Sequence, residues 1–240
     1  MFAHSPKIVT DGLVLALDAG NVKSYVSGST TWFDKSGYGN NFTTYNSPGF
    51  SNNGFTNFVT NEYLLINNTN WTTSIPIGSA DRTIMTIFKA PNSPSIYNHI
   101  FHYGTAAADQ SYGLAILSPP YTPYYALTNH TWIGASYAIY ELVANGTYIA
   151  AVRFKNSNSP KNNFFINGQF PSTGFAQGKS SDYSINTGTS DSPRIGTRIS
   201  SYAEPLGAGG FIYNIMMYNR YLTDSELLQN YNSLRGRFGI

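Results

Sequence analysis

Short apolar segments separated by polar, turn-forming residues run along almost the whole chain. Residues 12–18, GLVLALD, place Leu13, Leu15 and Leu17 on one face and Val and Ala on the other, so both faces are apolar. This alternation predicts a strand that is covered on both sides. Further segments rich in β-branched or aromatic residues predict strands over 62–66, 82–90, 97–104, 112–118, 146–154, 162–170, 193–199 and 209–218.

Two local signals predict a turn and a helix. The pair Asn167-Gly168 in FFINGQF is typical of a type I′ hairpin turn, because both central residues of that turn need positive φ. In residues 223–236, TDSELLQNYNSLRG, Thr223 precedes Glu226 by three positions and forms a capping-box pattern. Leucines and a tyrosine then follow on one stripe, which predicts a helix that packs on the strands.

The fold class predicted from this pattern is all-β, a two-sheet antiparallel jelly-roll sandwich with a short C-terminal helix. The Ser/Thr/Gly-rich stretch 172–192 is interpreted as a connection between strands. No internal repeat and no long linker divides the sequence, so residues 1–240 are predicted to form one domain.

Charge and cysteine content exclude several classes of function. Charged residues make up 11% of the chain, against about 25% in ordinary soluble domains. The 14 Lys and Arg are scattered without a basic stripe, so no nucleic-acid partner is expected. The chain has no Cys, which removes disulfides and Cys-type zinc sites. Neither a secretory signal pattern nor an apolar run of about 18 residues is present, so no membrane insertion is expected.

Four stretches, in this order, resemble a laminin-G-like, concanavalin A-like jelly-roll domain. They are GLVLALDAGNVKSY with TTWFDKSGYGNN, FTNFVTNEYLLI, TYIAAVRFKNS with NFFINGQF, and IGTRI with GGFIYNIMMYNRYLTDSELLQNYNSLRGRFGI. The form that ends in a helix and RFGI resembles domains of tailed-bacteriophage structural proteins. The resemblance implies two antiparallel sheets packed face to face, in a family that includes lectins, glucanases and adhesive modules.

Together with the charge-poor surface and the lack of an export signal, the resemblance implies a virion structural protein. We expect a capsid decoration or a tail or fibre component on the virion surface, assembled in the host cytoplasm and adhering to host or environmental glycans. Its implied partners are other virion proteins, glycans and further copies of itself in a homo-oligomer. The alternative is a free lectin-like carbohydrate-binding module.

Catalytic residue patterns are not found. Glucanases of this family carry two carboxylates at Glu-x-Asp-type spacing, because alternate strand residues point into one cleft. Among the Glu residues only Glu226 has such a neighbour, Asp224, and both are explained by the start of the predicted helix. No nucleophile-elbow or phosphate-binding motif is present. The sequence therefore predicts a protein that is not an enzyme.

No metal or other cofactor is predicted. His99 and His102 lie three residues apart in the predicted strand 97–104, which would place them on opposite faces of the sheet and prevent a shared metal. Calcium through Asp18 and Asp34 is an alternative that the sequence does not favour. The acidic pair that the family often shows in its last strand is replaced here by Tyr213 and Asn214.

Two segments contain the candidate contact residues. In SPPYTPYYALTNHTW (118–132) the candidates for ligand binding are Tyr121, Tyr124, Tyr125, Asn129 and Trp132. Aromatic rings of this kind are rigid anchors for a glycan or a protein. The alternative for Tyr124 and Trp132 is packing within the sheet or at its edge.

In TWFDKSGYGNNF (31–42) the glycines and asparagines are typical of a tight reversal that the aromatic residues at its two ends hold to the core. The spacing does not match an EF-hand. Its remaining functional role is that of an exposed contact loop for a neighbouring subunit or a glycan. The candidate residues are Trp32, Asp34, Tyr38 and Asn40.

Overall fold

The computed structural model describes residues 7–92, 95–131, 134–176, 179–180, 183–199 and 204–240. The strands within them are β1 (Leu13–Asp18), β2 (Thr31–Trp32), β3 (Phe42–Tyr45), β4 (Gly49–Ser51), β5 (Gly54–Thr56), β6 (Tyr63–Ile66), β7 (Arg82–Lys89), β8 (Tyr97–Gly104), β9 (Ser111–Leu117), β10 (Ala126–His130), β11 (Ala135–Ala138), β12 (Thr147–Phe154), β13 (Asn162–Ile166), β14 (Thr173–Ala176), β15 (Asp191–Ile195) and β16 (Phe211–Tyr218). Helix α1 spans Asp224–Leu234, and short 3-10 turns span Trp71–Thr73 and Arg235–Arg237.

The strands form two antiparallel sheets, which confirms the predicted two-sheet sandwich. One sheet has seven strands in the order β13-β12-β7-β16-β5-β4, with β1 also paired to β16. The other has nine strands in the order β14-β11-β10-β9-β8-β15-β6-β3-β2. Every segment predicted as a strand contains one. The stretch 172–192, predicted to be only a connection, also contributes β14, which pairs with β11.

Two apolar layers stabilise the sandwich. The inner layer, between the sheets, includes Trp32, Phe55 and Phe101, and the outer layer lies between the seven-stranded sheet and helix α1. A bulge between Leu13 and Leu15 breaks the predicted alternation of β1. Leu13 therefore joins the outer layer, whereas Leu15 belongs to the inner one. Both faces of β1 are covered, as its two apolar faces predict.

The local turn and helix signals are confirmed. Asn167 and Gly168 have φ values of 47° and 85°, and the turn is closed by a hydrogen bond from the Gln169 N–H to the Ile166 carbonyl. Thr223 and Glu226 form the capping box at the start of α1. The side chain of Leu227 is buried in the outer layer, so the helix covers the sheet as predicted. Among the described residues no helix has the length and apolarity to span a membrane.

Candidate functional site

Three histidines meet on the nine-stranded sheet, on the face that is turned away from the inner apolar layer. His99 and His102 come from β8, and His130 comes from β10, with β9 between these two strands. One nitrogen from each ring can be chosen so that the three atoms lie within 4.8 Å of one another. All three side chains are buried. We call these residues the histidine cluster.

A bulge in β8 brings His99 and His102 to the same face. The pairing of β8 with β9 shifts register between His99 and Phe101, and both Ile100 and Phe101 pack in the inner layer. Because the bulge places two consecutive residues on the same side of β8, His99 lies on the same face of the sheet as His102. The ring centroids of His99 and His102 are 5.1 Å apart. The prediction that these two histidines lie on opposite faces is therefore wrong, because it assumed a regular strand.

A glycine in β9 makes room for the rings. Gly113 is paired with His102 across the β8–β9 ladder. A Cβ atom at this position would lie 2.4 Å from Cδ2 of His102. Only the absence of a side chain in the intervening strand allows the imidazole rings of β8 and β10 to approach. Gly113 lies between His102 and His130 in the sequence, but only the pairing of β8, β9 and β10 brings the two rings together above it.

Hydrogen bonds identify the tautomer of His99. Its Nδ1 lies 3.2 Å from the backbone carbonyl oxygen of Glu204, and a carbonyl oxygen only accepts. His99 Nδ1 therefore carries the proton and Nε2 has a free lone pair. That lone pair lies 3.1 Å from His130 Nδ1, which donates to it.

His102 is not fully satisfied. Its Nδ1 accepts a long hydrogen bond of 3.4 Å from the Ile199 N–H, whereas its buried Nε2 forms no regular hydrogen bond with the residues that the structure describes. A buried polar nitrogen without a partner costs about 1–3 kcal/mol. The cluster thus contains one ring nitrogen that forms no regular hydrogen bond with the described residues, although the backbone of His130 lies near enough to raise the pKa of His102 against the larger effect of burial.

Burial keeps the cluster neutral. It lowers the pKa of His99 and of His102 well below the ordinary value, and the positive charges of neighbouring groups, Arg198 among them, lower both pKa values further. The same causes lower the pKa of His130 to about 3. At neutral pH all three imidazoles are uncharged, which is the form that binds metal ions.

Glu204 links the cluster to the surface. Its Oε1 accepts a hydrogen bond of 2.9 Å from the Arg198 guanidinium, and its Oε2 lies 3.5 Å from His99 Nδ1. Burial raises the pKa of the Glu204 carboxyl, and Arg198 partly offsets that rise. The side chain remains 20% exposed. It faces a pocket as well as the histidines.

The pocket has a volume of about 610 Å³ and opens beside the first residues of β8. Its lining combines Tyr97, Ser95 and Glu204 with apolar rim residues, of which Val59 and Ile96 are exposed. Ser95 is held in place because its N–H donates to Asn98 Oδ1 and its carbonyl accepts from the Ser118 hydroxyl. The floor is therefore pre-formed, with a volume in the range typical of small-ligand sites.

Aromatic rings connect the pocket with the histidine cluster. The centroid of Tyr97 lies 5.4 Å from that of Tyr121 and 5.4 Å from that of His130. Tyr121, one of the residues predicted to bind a ligand, is 38% exposed. The structure thus places one predicted residue against Tyr97, a lining residue that the sequence did not single out, although Tyr121 itself does not line the pocket.

The other predicted ligand-binding residues lie elsewhere. Tyr125 packs against the inner apolar layer, and Tyr124 lies near Tyr137 and Glu141. Asn129 is buried and accepts a hydrogen bond of 2.9 Å from the Tyr183 hydroxyl. Trp132 lies outside the described residues. Among the described candidates of this segment, only Tyr121 is tied by a ring contact to a residue that lines the pocket.

Most of the candidate loop residues in 31–42 are accounted for by the fold. Trp32 is buried in the inner layer, and Asp34 accepts hydrogen bonds from the backbone N–H groups of Ala16 and Asn40. Asn40 is buried and donates to the Val14 carbonyl oxygen. Tyr38 is exposed, so it alone presents a large surface to a partner.

The two carboxylates considered for calcium are engaged in local contacts. The Asp18 carboxylate pairs with the Arg237 guanidinium at 2.7 and 2.8 Å and accepts the Gly20 N–H. The Asp34 carboxylate accepts the backbone bonds that shape its loop. Their oxygens stabilise turns, which is the common role of such residues.

No protein-family model matches the chain, and a search of curated proteins found no match. Solved structures are similar in fold. Trypanosoma rangeli sialidase in complex with sialic acid has a TM-score of 0.63 at 13% identity, over 96% of this chain and 36% of that one. The botulinum neurotoxin serotype D binding domain has a TM-score of 0.58 at 11% identity, over 95% of this chain and 52% of that one. A structure described as a receptor binding domain has a TM-score of 0.59 at 12% identity, over 94% of this chain and 52% of that one.

These similarities show the fold, a two-sheet β-sandwich. The chain spans about a third of the length of the sialidases that it matches. They also correct the prediction that the protein is not an enzyme, because sialidases are enzymes. That prediction relied on a missing carboxylate pair, whereas sialidases use a Tyr nucleophile. The absence of such a pair therefore does not exclude catalysis on this fold, and the similarity in fold does not assign a reaction to this chain.

Proposed function

We propose that the protein binds a neutral glycan in the pocket formed by Tyr97, Glu204 and the residues around them. The observation that carries the proposal is the combination, in one pre-formed pocket, of an aromatic ring, exposed aliphatic side chains and the polar residues Ser95 and Glu204. The apolar face of a sugar ring packs on aromatic side chains, and its hydroxyl groups donate hydrogen bonds to carboxylate oxygens.

The charge of the pocket favours a neutral sugar. Glu204 is the charged residue of the pocket lining as described, and Arg198, the positive group that it contacts, is itself buried. The pocket lining as described contains no Lys or Arg that would bind the carboxylate of an acidic sugar, and the charge of Glu204 is offset by its ion pair with Arg198. The fold likeness to proteins described as binding domains supports a role in recognition. The sialidase was solved with sialic acid, which is an acidic sugar, so this likeness supports sugars as the ligand class and not the neutral charge proposed here.

Replacing Tyr97 with Ala should weaken glycan binding by about tenfold or more, because an aromatic anchor at the centre of a binding site contributes about 1–2 kcal/mol. An array of neutral and sialylated glycans identifies the sugar, and titration calorimetry with that sugar gives the affinity. Tyr121→Ala should weaken binding less, since Tyr121 contacts Tyr97 at the rim.

Tyr38→Ala is the matched control. Tyr38 is an exposed tyrosine in the loop 31–42 and does not line the pocket. Its replacement should leave glycan affinity unchanged. Loss of binding in Tyr38→Ala with full binding in Tyr97→Ala would move the site to the loop, and no binding to any arrayed glycan would contradict the proposal.

We also propose a setting for this activity, in which a tailed-phage particle carries the domain as a capsid decoration or a tail or fibre component. The order of the four family-like stretches, the helix followed by RFGI and a charged content of only 11% support it. Several copies would then present the pocket together, in a homo-oligomer that matches the symmetry of the particle. Mass spectrometry of purified particles should find the chain among the structural proteins, and its absence from them would contradict this setting.

A further inference from the structure

We propose that His99, His102 and His130 form a binding site for a divalent first-row transition-metal ion, with Zn²⁺ as the representative ion. Three imidazoles are the ligand set of many zinc sites that keep a fourth position open. The proposal concerns the histidine cluster, which lies next to the glycan pocket but is distinct from it. The test measures metal binding directly, so its outcome does not depend on whether the protein binds a glycan.

The geometry of the cluster is close to that of a metal site. His99 Nε2 and His130 Nδ1 lie 3.1 Å apart. With Zn–N bonds of 2.0–2.1 Å, two ligand nitrogens in a tetrahedral site are about 3.4 Å apart. Three ligand nitrogens within 4.8 Å of one another need only small side-chain rotations to surround one ion. The β8 bulge and Gly113 have already placed the rings on one face.

The hydrogen-bond partners around the cluster favour coordination. His99 donates its Nδ1 proton to the Glu204 carbonyl oxygen, which leaves Nε2 free to bind an ion. Metal-bound histidines usually donate their second ring nitrogen to a carbonyl or carboxylate oxygen in this way. His130 would bind through Nδ1 after its proton moves to Nε2. The three imidazoles stay neutral, and no proton has to leave the site.

His102 provides the second observation. Its buried Nε2 forms no regular hydrogen bond with the described residues, and an ion at the centre of the cluster would occupy that nitrogen. Coordination through Nε2 places the proton on Nδ1, so the hydrogen bond from the Ile199 N–H, already 3.4 Å long, would be lost. One weak hydrogen bond is exchanged for a metal–nitrogen bond.

The charges around the site are balanced. Arg198 is a buried positive charge whose guanidinium lies 2.9 Å from Glu204, the residue next to His99, and it opposes a cation in the cluster. The Glu204 carboxylate pairs with Arg198 and lies 3.5 Å from His99 Nδ1, so it offsets that charge. Nitrogen ligands favour Zn²⁺, Cu²⁺, Ni²⁺ and Co²⁺ over Mg²⁺ and Ca²⁺, which need oxygen ligands.

The test is titration of the metal-free full chain with ZnCl₂, followed by calorimetry and by metal analysis after desalting. We expect one Zn²⁺ per chain, no binding of Mg²⁺ and a higher melting temperature with Zn²⁺, since an ion that binds the native state stabilises it. His99→Asn and His102→Asn should each weaken Zn²⁺ binding by more than about 100-fold. Glu204→Gln keeps the backbone carbonyl that His99 contacts but removes the carboxylate charge that offsets Arg198, and it should weaken Zn²⁺ binding by about tenfold.

The control variant is His4→Ala. His4 is the remaining histidine of the sequence and lies outside the described residues. Its replacement should leave the stoichiometry and affinity unchanged. X-ray absorption of the wild-type protein with Zn²⁺ should show three imidazole nitrogens at about 2.0–2.1 Å, and this measurement does not depend on whether a variant folds. No bound Zn²⁺ in the wild type, fewer than two imidazoles around the ion, or unchanged binding in folded His99→Asn and His102→Asn would overturn the proposal.

Discussion

Replacing Arg82 with Ala should destabilise the protein by about 4 kcal/mol, because the substitution leaves buried polar partners unpaired and opens a cavity. Arg82 is fully buried at the start of β7. Its guanidinium donates to the carbonyl oxygens of Ala80 and Gly78 at 2.8 and 2.7 Å. Among the described residues no Asp or Glu forms an ion pair with it.

Carbonyl dipoles, hydroxyls and aromatic faces together solvate this charge. The Nη1 atom of Arg82 donates to the hydroxyls of Tyr103 and Thr187 at 2.9 and 2.8 Å. The guanidinium also lies 5.0 Å from the ring centroid of Tyr112. Arg82 thereby ties the loop before β7 to Tyr103 in β8 and to Thr187. Its loss should release contacts in both sheets.

The variant Arg82→Lys distinguishes the contribution of the positive charge from that of the hydrogen-bonding geometry of the guanidinium. A lysine keeps the positive charge but cannot reproduce a planar fork that donates in several directions. We expect a loss of about 2–3 kcal/mol, measured as a lower midpoint of urea unfolding with an unchanged slope. Arg235→Ala, at an exposed arginine that lies over the Tyr231 ring, should change stability by less than about 0.5 kcal/mol. An Arg82→Lys variant as stable as wild type would show that charge alone is sufficient.

Replacing Trp32 with Ala should cost about 3–5 kcal/mol, the range for large aromatic side chains removed from a core. Trp32 is completely buried, and its ring centroid lies 4.8 Å from that of Phe55. Phe55 also packs with Tyr25 at 4.6 Å. The substitution therefore opens a cavity at the centre of an aromatic group between the sheets.

Trp32→Phe should cost much less, about 1.5 kcal/mol or below. The indole Nε1 is buried without a hydrogen-bond partner, so its removal relieves a desolvation penalty that partly offsets the smaller ring volume. Tyr38→Ala, in the same loop but exposed, should be nearly neutral. Thermal unfolding, monitored by circular dichroism, gives the order of stability of the three variants. A neutral Trp32→Ala would contradict the structural role assigned to this ring and reopen its role as a contact residue.

Several elements of the fold were predictable because their signals are local. The turn at Asn167-Gly168 requires residues that tolerate positive φ, and the capping box at Thr223 satisfies backbone groups within one helical turn. The long strands are marked by β-branched and aromatic runs. The short strands β2, β4 and β5 have two or three residues each, too few for a periodic pattern, and they form because neighbouring strands provide their hydrogen bonds.

The candidate site was predictable only in part. Tyr121 was identified because aromatic residues near Pro and Thr are typical of contact surfaces, and the structure places it beside Tyr97. Glu204 has no carboxylate nearby in the sequence, so it was not predicted to be a catalytic or metal-binding residue. Its importance comes from contacts with Arg198 and with His99, a residue 105 positions away in sequence.

The amino-acid sequence alone was sufficient for the fold class, the main strands, the hairpin turn and the capped helix, because periodicity and capping act over a few neighbouring residues. The histidine cluster required the folded chain. A single extra residue in β8 reverses the face of His99, and the space above Gly113 exists only when β8, β9 and β10 pair in this register. Register and bulges depend on the packing of whole sheets, so a strand segment read in isolation does not reveal which side chains meet.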